Sequence, residues 1–503
     1  MFRQGAGTRR APLVRRVVAW RLTVLLLCPA LCGGCRTWES GRESAMSAWC
    51  AGDVAQAAER LEVAAGKMRS ERELLKLDLS MVDLSRGEAG LAEGRFRELR
   101  EELAYLDQGD LGEQTAATLS DSRASSYSGR DYERQMLLAM GLLSSVMSGS
   151  GDAFAWSLQA EETVSLRRRE LSGASPNAGI AASDSGAEET SGGVQQAGYE
   201  SVGAVQPKAA DSPLGFASWL TALVQSETPS RAIETASALE QAAWWNAVLP
   251  GGARSPDRMG VRCAKGFGSL NVIVLAGRAP RWESESAEPT SAALLIADRI
   301  LSATGRHTLP PTLVSVKIAR PRVVWRAGSA APVVCRLRTG GVASVPRVLG
   351  FTTLADMNAA AESSYQEHRD EELAAAVVRR VVKKGAIYAV KETTQVSSNG
   401  LADFGLNAAG VLWEALERPD TRAWETLPAM ILAAQEELPV GEHHLEILGP
   451  LPDFGARRGH GEFSVRIEDG RNTTVLCLIP DRAIAGCILV SGVEQKMVPP
   501  PAP

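Results

Sequence analysis

The sequence predicts an α+β protein: an N-terminal α-helical repeat array, then a mixed α+β domain ending in an antiparallel β-meander. Three observations predict it. The pattern Gly-acidic-x-x-x-Ala recurs early, at Gly52 and Gly87. Helical spacing of apolar residues dominates up to about residue 250, whereas short Val- and Ile-rich runs closed by Gly or Pro take over after about residue 255. The length of 503 residues exceeds what one core usually holds.

Residues 1–34 read as a signal peptide. Six arginines and no carboxylate precede the apolar run Leu22–Cys32, which Pro29 interrupts. Eleven residues are too few to span a bilayer, for which about 20 are needed, and the order basic, apolar, small is that of an export signal. The stretch Leu31-Cys32-Gly33-Gly34-Cys35 resembles a bacterial lipobox, with Cys32 where Leu is usual. The resemblance implies lipidation of Cys35, a membrane anchor without a spanning helix and, with Arg36 rather than Asp after the cysteine, an outer-membrane location facing the periplasm. Simple cleavage near Gly34, leaving a free periplasmic protein, is the alternative; twin-arginine export through Arg15-Arg16 is a weaker one.

Residues 35–171 are expected to form the array. "GDVAQAAERL" (52–61) and "GEAGLAEGRF" (87–96) set their glycines 35 residues apart, close to the tetratricopeptide (TPR) period. A glycine lets one helix turn sharply into the next, and a small alanine lets the two pack closely. A third copy, "GDAFAWSLQA" (151–160), carries Trp156 in the alanine position. An ordinary helical bundle reusing Gly-acidic junctions is the competing reading. In the helix after Tyr127, Met136, Met140, Leu143 and Met147 fall at helical spacing and read as core.

Residues 172–212, dominated by Gly, Ala and Ser, cannot bury enough apolar surface to fold alone and read as a disordered linker. A further helical pair follows over 213–250, with Pro229 at a helix start and Trp244-Trp245 covering the end of the array. The α+β domain spans 255–495, with strands at 269–277, 312–321 and 331–337, helices at 291–303 and about 370–390, and the terminal meander; residues 496–503 form a Pro-rich tail. A hairpin centred on Arg482 sets Cys477 opposite Cys487, either as a cross-strand disulfide or as two buried thiols.

Composition excludes more chemistry than it identifies. Without the signal peptide, 48 basic side chains face 59 acidic ones, a formal charge of −11, which disfavours nucleic acid, whose affinity comes from phosphate neutralisation. No nucleophile elbow, phosphate loop, zinc-protease helix or EF-hand loop occurs, so catalytic residues, metal and cofactors are all expected to be none. His443 and His444 point to opposite faces of a strand and share an ion only with difficulty. Arg379, Arg380, Lys383 and Lys384 read as a solvated helix face, with an anion site as the alternative.

Three segments lie together in a recognisable way: "YSGRDYER" (127–134), "AAAVVRRVVKK" (374–384), and "DTRAWETLPAMI" (420–431) followed by "LPVGEHHLEI" (438–447). Over residues 35–450 the chain resembles a bacterial family of uncharacterised TPR-containing envelope lipoproteins. The element Asp-x-Arg-x-Trp-x-x-Leu-Pro is the most specific part, and the linker and the altered third repeat depart from the pattern. The resemblance singles out Tyr127, Gly129, Tyr132, Glu133, Asp420, Arg422, Trp424, Leu427 and Pro428 as family-motif residues. The family has no assigned reaction; Cys35, the repeated Gly-acidic-x-x-x-Ala units and the absence of a catalytic set point to a lipid-anchored, non-enzymatic scaffold whose partner is another envelope protein. For the last motif a structural role is preferred, with Asp420–Arg422 an ion pair and Trp424 a plug between helix and sheet. The competing function is an envelope enzyme or small-ligand or glycan binder using the C-terminal domain, with Arg422, Trp424, Glu442 and His444 converging in one pocket.

Overall fold

The computed structural model describes residues 37–67, 71–107, 127–172, 206–249, 264–303, 315–325, 333–339, 345–393, 418–448, 462–481, 484–491 and 496–498. Cys35, the signal peptide and the Pro-rich tail from 499 onward lie outside them, as does most of the expected linker. The architecture is mixed α+β, a helical region followed by a sheet-containing region.

The helical region is a run of antiparallel pairs: α1 (Thr37–Cys50) with α2 (Val54–Lys67), α3 (Arg72–Arg86) with α4 (Ala89–Asp107), α5 (Asp131–Ser148) with α6 (Ala153–Leu171), and α7 (Ser212–Ser226) with α8 (Ala232–Asn246). The first two junctions share one hydrogen-bond pattern. The Gly52 amide donates to Trp49 O and Asp53 N to Ala48 O, just as Gly87 N donates to Leu84 O and Glu88 N to Asp83 O. Both glycines hold a positive φ, 89° and 87°, the left-handed helix stop that a Cβ disfavours. The pairs also repeat side by side: Arg42 Nε bonds Asp78 and Trp49 Nε1 bonds Ser85, each link spanning 36 residues between α1 and α3. In the third copy Trp156 fits because α5 offers Gly141 beneath it. A Cβ on Gly141 would lie 2.5 Å from the indole, so bulk has moved from one helix to the other.

Two sheets follow. Strands β1 (Phe267–Ala276), β6 (Thr352–Asp356), β7 (Met430–Pro439), β10 (Asn472–Ile479), β11 (Ile488–Ser491) and β12 (Lys496–Val498) form a six-stranded sheet ordered β12-β11-β10-β1-β7-β6. In it β1 runs parallel to β10 and antiparallel to β7. Strands β4 (Val334–Thr339), β5 (Arg347–Leu349), β8 (Gly441–Leu448) and β9 (Phe463–Ile467) form a second sheet ordered β5-β4-β8-β9. A ribbon of β2 (Arg281–Ala287) and β3 (Val316–Arg322) accompanies helices α9 (Ser291–Ala303) and α10 (Met357–Thr393).

Alternation along β1 sorts the core into layers. Ile273 and Leu275 join a cluster containing helical residues from Ala45 to Ala242, while Val272 and Val274 join a second cluster shared with Leu337, Leu445 and Val465 of the four-stranded sheet. Helices, six-stranded sheet and four-stranded sheet therefore stack as three layers. The helical residues and the α+β residues share their largest apolar cluster, while the cluster between the two sheets belongs to the α+β region alone.

Several expectations need correction. The terminal meander is split: β9 pairs with β8 in one sheet, then the chain turns at Asp469-Gly470 and β10 enters the other beside β1. The reason is burial, because β10 is apolar on both faces and requires cover on both. Of the two readings of Cys477 and Cys487, the structure has the buried free thiols. The register Thr474–Ser491, Val475–Val490, Leu476–Leu489 carries on to Cys477 opposite Ile488, one residue away from the symmetric hairpin. A one-residue step reverses the face, leaving Cys477 in the inter-sheet cluster and Cys487 in the helix-facing one. The linker is also shorter than read: Ala210, Asp211 and Ser212 are buried, since Asp211 accepts bonds from Arg167 at 3.0 Å and Gln135 at 3.1 Å. Helix α10 begins thirteen residues before the expected start, at a point where the Asp356 carboxylate caps the Asn358 and Ala359 amides.

Candidate functional site

The family-motif residues, far apart in sequence, meet where the helical pairs face the sheet. The segment Pro419–Ala429 has no ladder partner and runs along the first helices of the pairs, so its backbone groups must be satisfied otherwise. Side chains of those helices satisfy them. The Trp424 amide donates to Glu133 Oε1 at 2.9 Å, Arg42 Nη2 donates to Ala423 O at 2.7 Å, and Arg130 Nη2 donates to Asp420 O at 3.2 Å.

Glu133 is the centre of this clasp. At 2 % exposure its carboxylate accepts from Tyr127 Oη at 2.6 Å and the Arg130 amide at 2.7 Å on one oxygen, and from the Trp424 amide and Tyr132 Oη at 3.4 Å on the other. Burial, reinforced by Glu133 itself, holds both phenols well above their ordinary pKa, so both remain donors. Tyr132 Oη in turn accepts from Trp282 Nε1 at 3.2 Å on β2. Gly129, at φ 76°, gives the chain the left-handed turn that brings Tyr127 back over the start of α5.

Trp424 is fully buried, its ring 5.9 Å from that of Phe96 on α4. Its indole Nε1 donates to Thr426 Oγ1, which donates to Asp78 on α3 at 2.8 Å, and Asp78 pairs with Arg42 at 2.6 Å. Burial alone would lower the Arg42 pKa; Asp78 and Glu425 more than reverse it, so the guanidinium stays charged. Leu427 and Pro428 close the segment, both buried, with Leu427 O accepting from the Ala279 amide. Asp420 holds Arg422 in a two-pronged pair, at 2.9 and 2.7 Å, and Arg422 Nη1 lies 3.6 Å from Glu71 on the other side.

Beside the clasp a cleft of about 210 Å³ opens between the loop before α5, strand β3, helix α10 and Pro419–Arg422. Arg379 lines it and is buried. The solvated-face reading of that helix therefore fails for Arg379, and Arg380 is drawn in too, donating to Ser315 O at 2.8 Å. The helix is packed against β3, so cations on that side turn inward. Glu442 and His444 lie on β8 in the four-stranded sheet, paired with Arg466 and Ser464 across β9. They do not gather with Arg422 and Trp424, and Trp424 itself is sealed. His443 is buried, its Nε2 2.8 Å from Pro439 O. Among the described residues no group of three His, Cys, Asp or Glu is placed to hold a metal ion.

Arg42, Asp78, Thr426, Arg130 and Trp282 complete the constellation without having been singled out in the sequence. The sign was there: "LLKLDLSMVDL" sets Asp78 between Leu77 and Leu79 in a Leu-rich helical run, and a carboxylate buried in that position requires a partner. No protein-family model, curated protein or solved structure matches this chain.

Proposed function

We propose that this chain is a lipid-anchored cell-envelope protein, held at the membrane through an acylated Cys35, whose TPR-type helical array acts as a protein–protein interaction scaffold and not as an enzyme. In such arrays the inner face formed by the first helices usually takes an extended segment of a partner. Here that face carries the chain's own Pro419–Ala429, bonded through side chains to its backbone. The array thus serves the α+β domain as an internal cradle, and an envelope partner meets the outer face.

One observation carries this choice of face. The second helices bear exposed large apolar side chains: Val63 on α2, Leu91 and Tyr105 on α4, Phe154, Leu158 and Leu166 on α6, and Ile233 on α8. Among the described residues, the first helices α1, α3, α5 and α7 bear none. Tyr105 and Ile233 are 78 % and 84 % exposed, and a tyrosine so placed is the kind of side chain that anchors interfaces. Membership of the envelope-lipoprotein family, and the outer-membrane location, belong to the same proposal. Among the described residues no helix is long and apolar enough to cross a membrane.

The test is capture from detergent-solubilised envelopes with the full-length, exported protein, whose N-terminal peptide is weighed for acyl chains. An envelope protein is expected to co-purify with the natural chain and to be lost with Tyr105→Glu/Ile233→Glu. Recovery of nothing beyond what an unrelated lipoprotein retains, or equal recovery with the double variant, overturns the proposal.

A further inference from the structure

We propose that the edge of the helical array at which α1 and α3 begin and α2 and α4 end faces the lipid bilayer, with its side chains at the level of the phospholipid headgroups. The inference rests on the acylated Cys35 of the reading above and adds to it which surface the anchor turns towards the membrane.

Chain length is the first support. Only Arg36 separates Cys35 from Thr37, where α1 starts. Two residue steps reach at most about 7 Å, so a cysteine whose acyl chains are buried in lipid holds the start of α1 beside the headgroups. Helix α1 has 14 residues and is about 20 Å long at its rise per residue. With that edge on the membrane, the opposite edge, which carries the turns at Gly52 and Gly87, stands clear of it.

Cross-helix bonds fix what is level with Thr37. Arg60 of α2 donates to Ser44 O of α1 at 2.7 Å; seven residues back along α1 and seven onward along the antiparallel α2, Thr37 and Lys67 come side by side. The bonds Arg42–Asp78 and Trp49–Ser85, each spanning 36 residues, place Glu73 of α3 at the same height. Between α3 and α4 the bonds Asp83–Arg95 and Lys76–Glu102 obey one antiparallel register, which sets Tyr105 opposite Glu73. Four helix ends therefore share one edge, and the tether joins it at Thr37.

The chemistry of that edge is the third support. Glu39 and Glu73 stand along it with Lys67 and Arg72, charges of both signs that suit a zwitterionic headgroup layer, so the tether and not attraction to anionic lipid holds it there. Tyr105, 78 % exposed at this level, has the apolar ring and polar tip that favour the boundary between lipid and water. The apolar row of the outer face then rises from Tyr105 to Leu91 at the far end of α4, and the envelope partner meets it beside the membrane.

The experiment uses the full-length, exported protein in vesicles of phosphatidylethanolamine and phosphatidylglycerol, with the photo-crosslinker benzoylphenylalanine replacing either Lys67 or Ala51. Both positions are exposed and lie on the first helix pair, at opposite edges, so neither replacement disturbs a buried contact. After irradiation, phospholipid adducts and the N-terminal peptide are weighed by mass spectrometry. At least about tenfold more lipid adduct is expected at position 67 than at position 51. Equal adducts at the two positions, or more at 51, on a protein whose N-terminal peptide carries acyl chains overturns the orientation and leaves the anchor standing. A bare N-terminal peptide overturns the anchor and this inference together.

Discussion

Glu133 does the work of a main-chain partner. Its two oxygens accept four donors, two of them backbone amides, and one of those amides lies 291 residues downstream at Trp424. Glu133→Gln keeps the shape but turns one acceptor into a donor facing donors. It is expected to cost about 3 kcal/mol, the range for stranding buried charged-group partners, measured by urea unfolding. Trp424→Ala should cost about 3–5 kcal/mol through the cavity left against Phe96. A Glu133→Gln loss under about 0.5 kcal/mol, the level of an ordinary surface change, would mean the clasp does not hold the segment. Much of this was legible: Tyr127, Gly129, Tyr132, Glu133, Asp420, Arg422 and Trp424 stood out in the sequence, and the structure brings them together. What was not legible was the partnership itself. A carboxylate in the first turn of a helix reads as a local cap, and nothing local reveals that its second oxygen serves a segment so far along the chain.

At the scale of elements, the helix pairs were the easiest part to read, because Gly52 and Gly87 announce the junctions and Ala57 and Ala92 fill the buried contact. Trp156, where the pattern expects alanine, packs onto Gly141 of the facing helix, a compensation in size that one-dimensional spacing conceals. Strand order was the hardest part. A two-faced apolar strand such as β10 declares that it is central, yet says nothing about which strand it joins, and β1 is some two hundred residues earlier. The register of β10 and β11 has a chemical consequence. With Cys477 and Cys487 on opposite faces, a non-reduced digest should show both as thiols. Burial pushes Cys335 up to about 12 and Cys477 higher still, so a raised folded-state pKa keeps the reactive thiolate suppressed throughout the neutral range. Iodoacetamide at pH 8 should label both only after unfolding. A 477–487 disulfide, or fast labelling of Cys477 in the folded protein, would require a register one residue away.

On the scale of the whole molecule, the change of secondary structure read at residue 250 is crossed by the largest apolar cluster, while a second cluster stays between the two sheets. Helices and six-stranded sheet enclose one apolar cluster, and the extended segment Pro419–Ala429 is stitched to three different first-helix regions at Arg42, Asp78 and Glu133. The inner face of the helical pairs is thus taken in cis. Hydrogen exchange of the full-length protein, read by mass spectrometry on peptides covering residues 420–429, tests the filled inner face most directly. The Trp424 amide, outside any sheet, should exchange as slowly as the central strand β1 and lose that protection in Glu133→Gln. Exchange within seconds in the natural chain, at the pace of an exposed loop, would contradict the clasp.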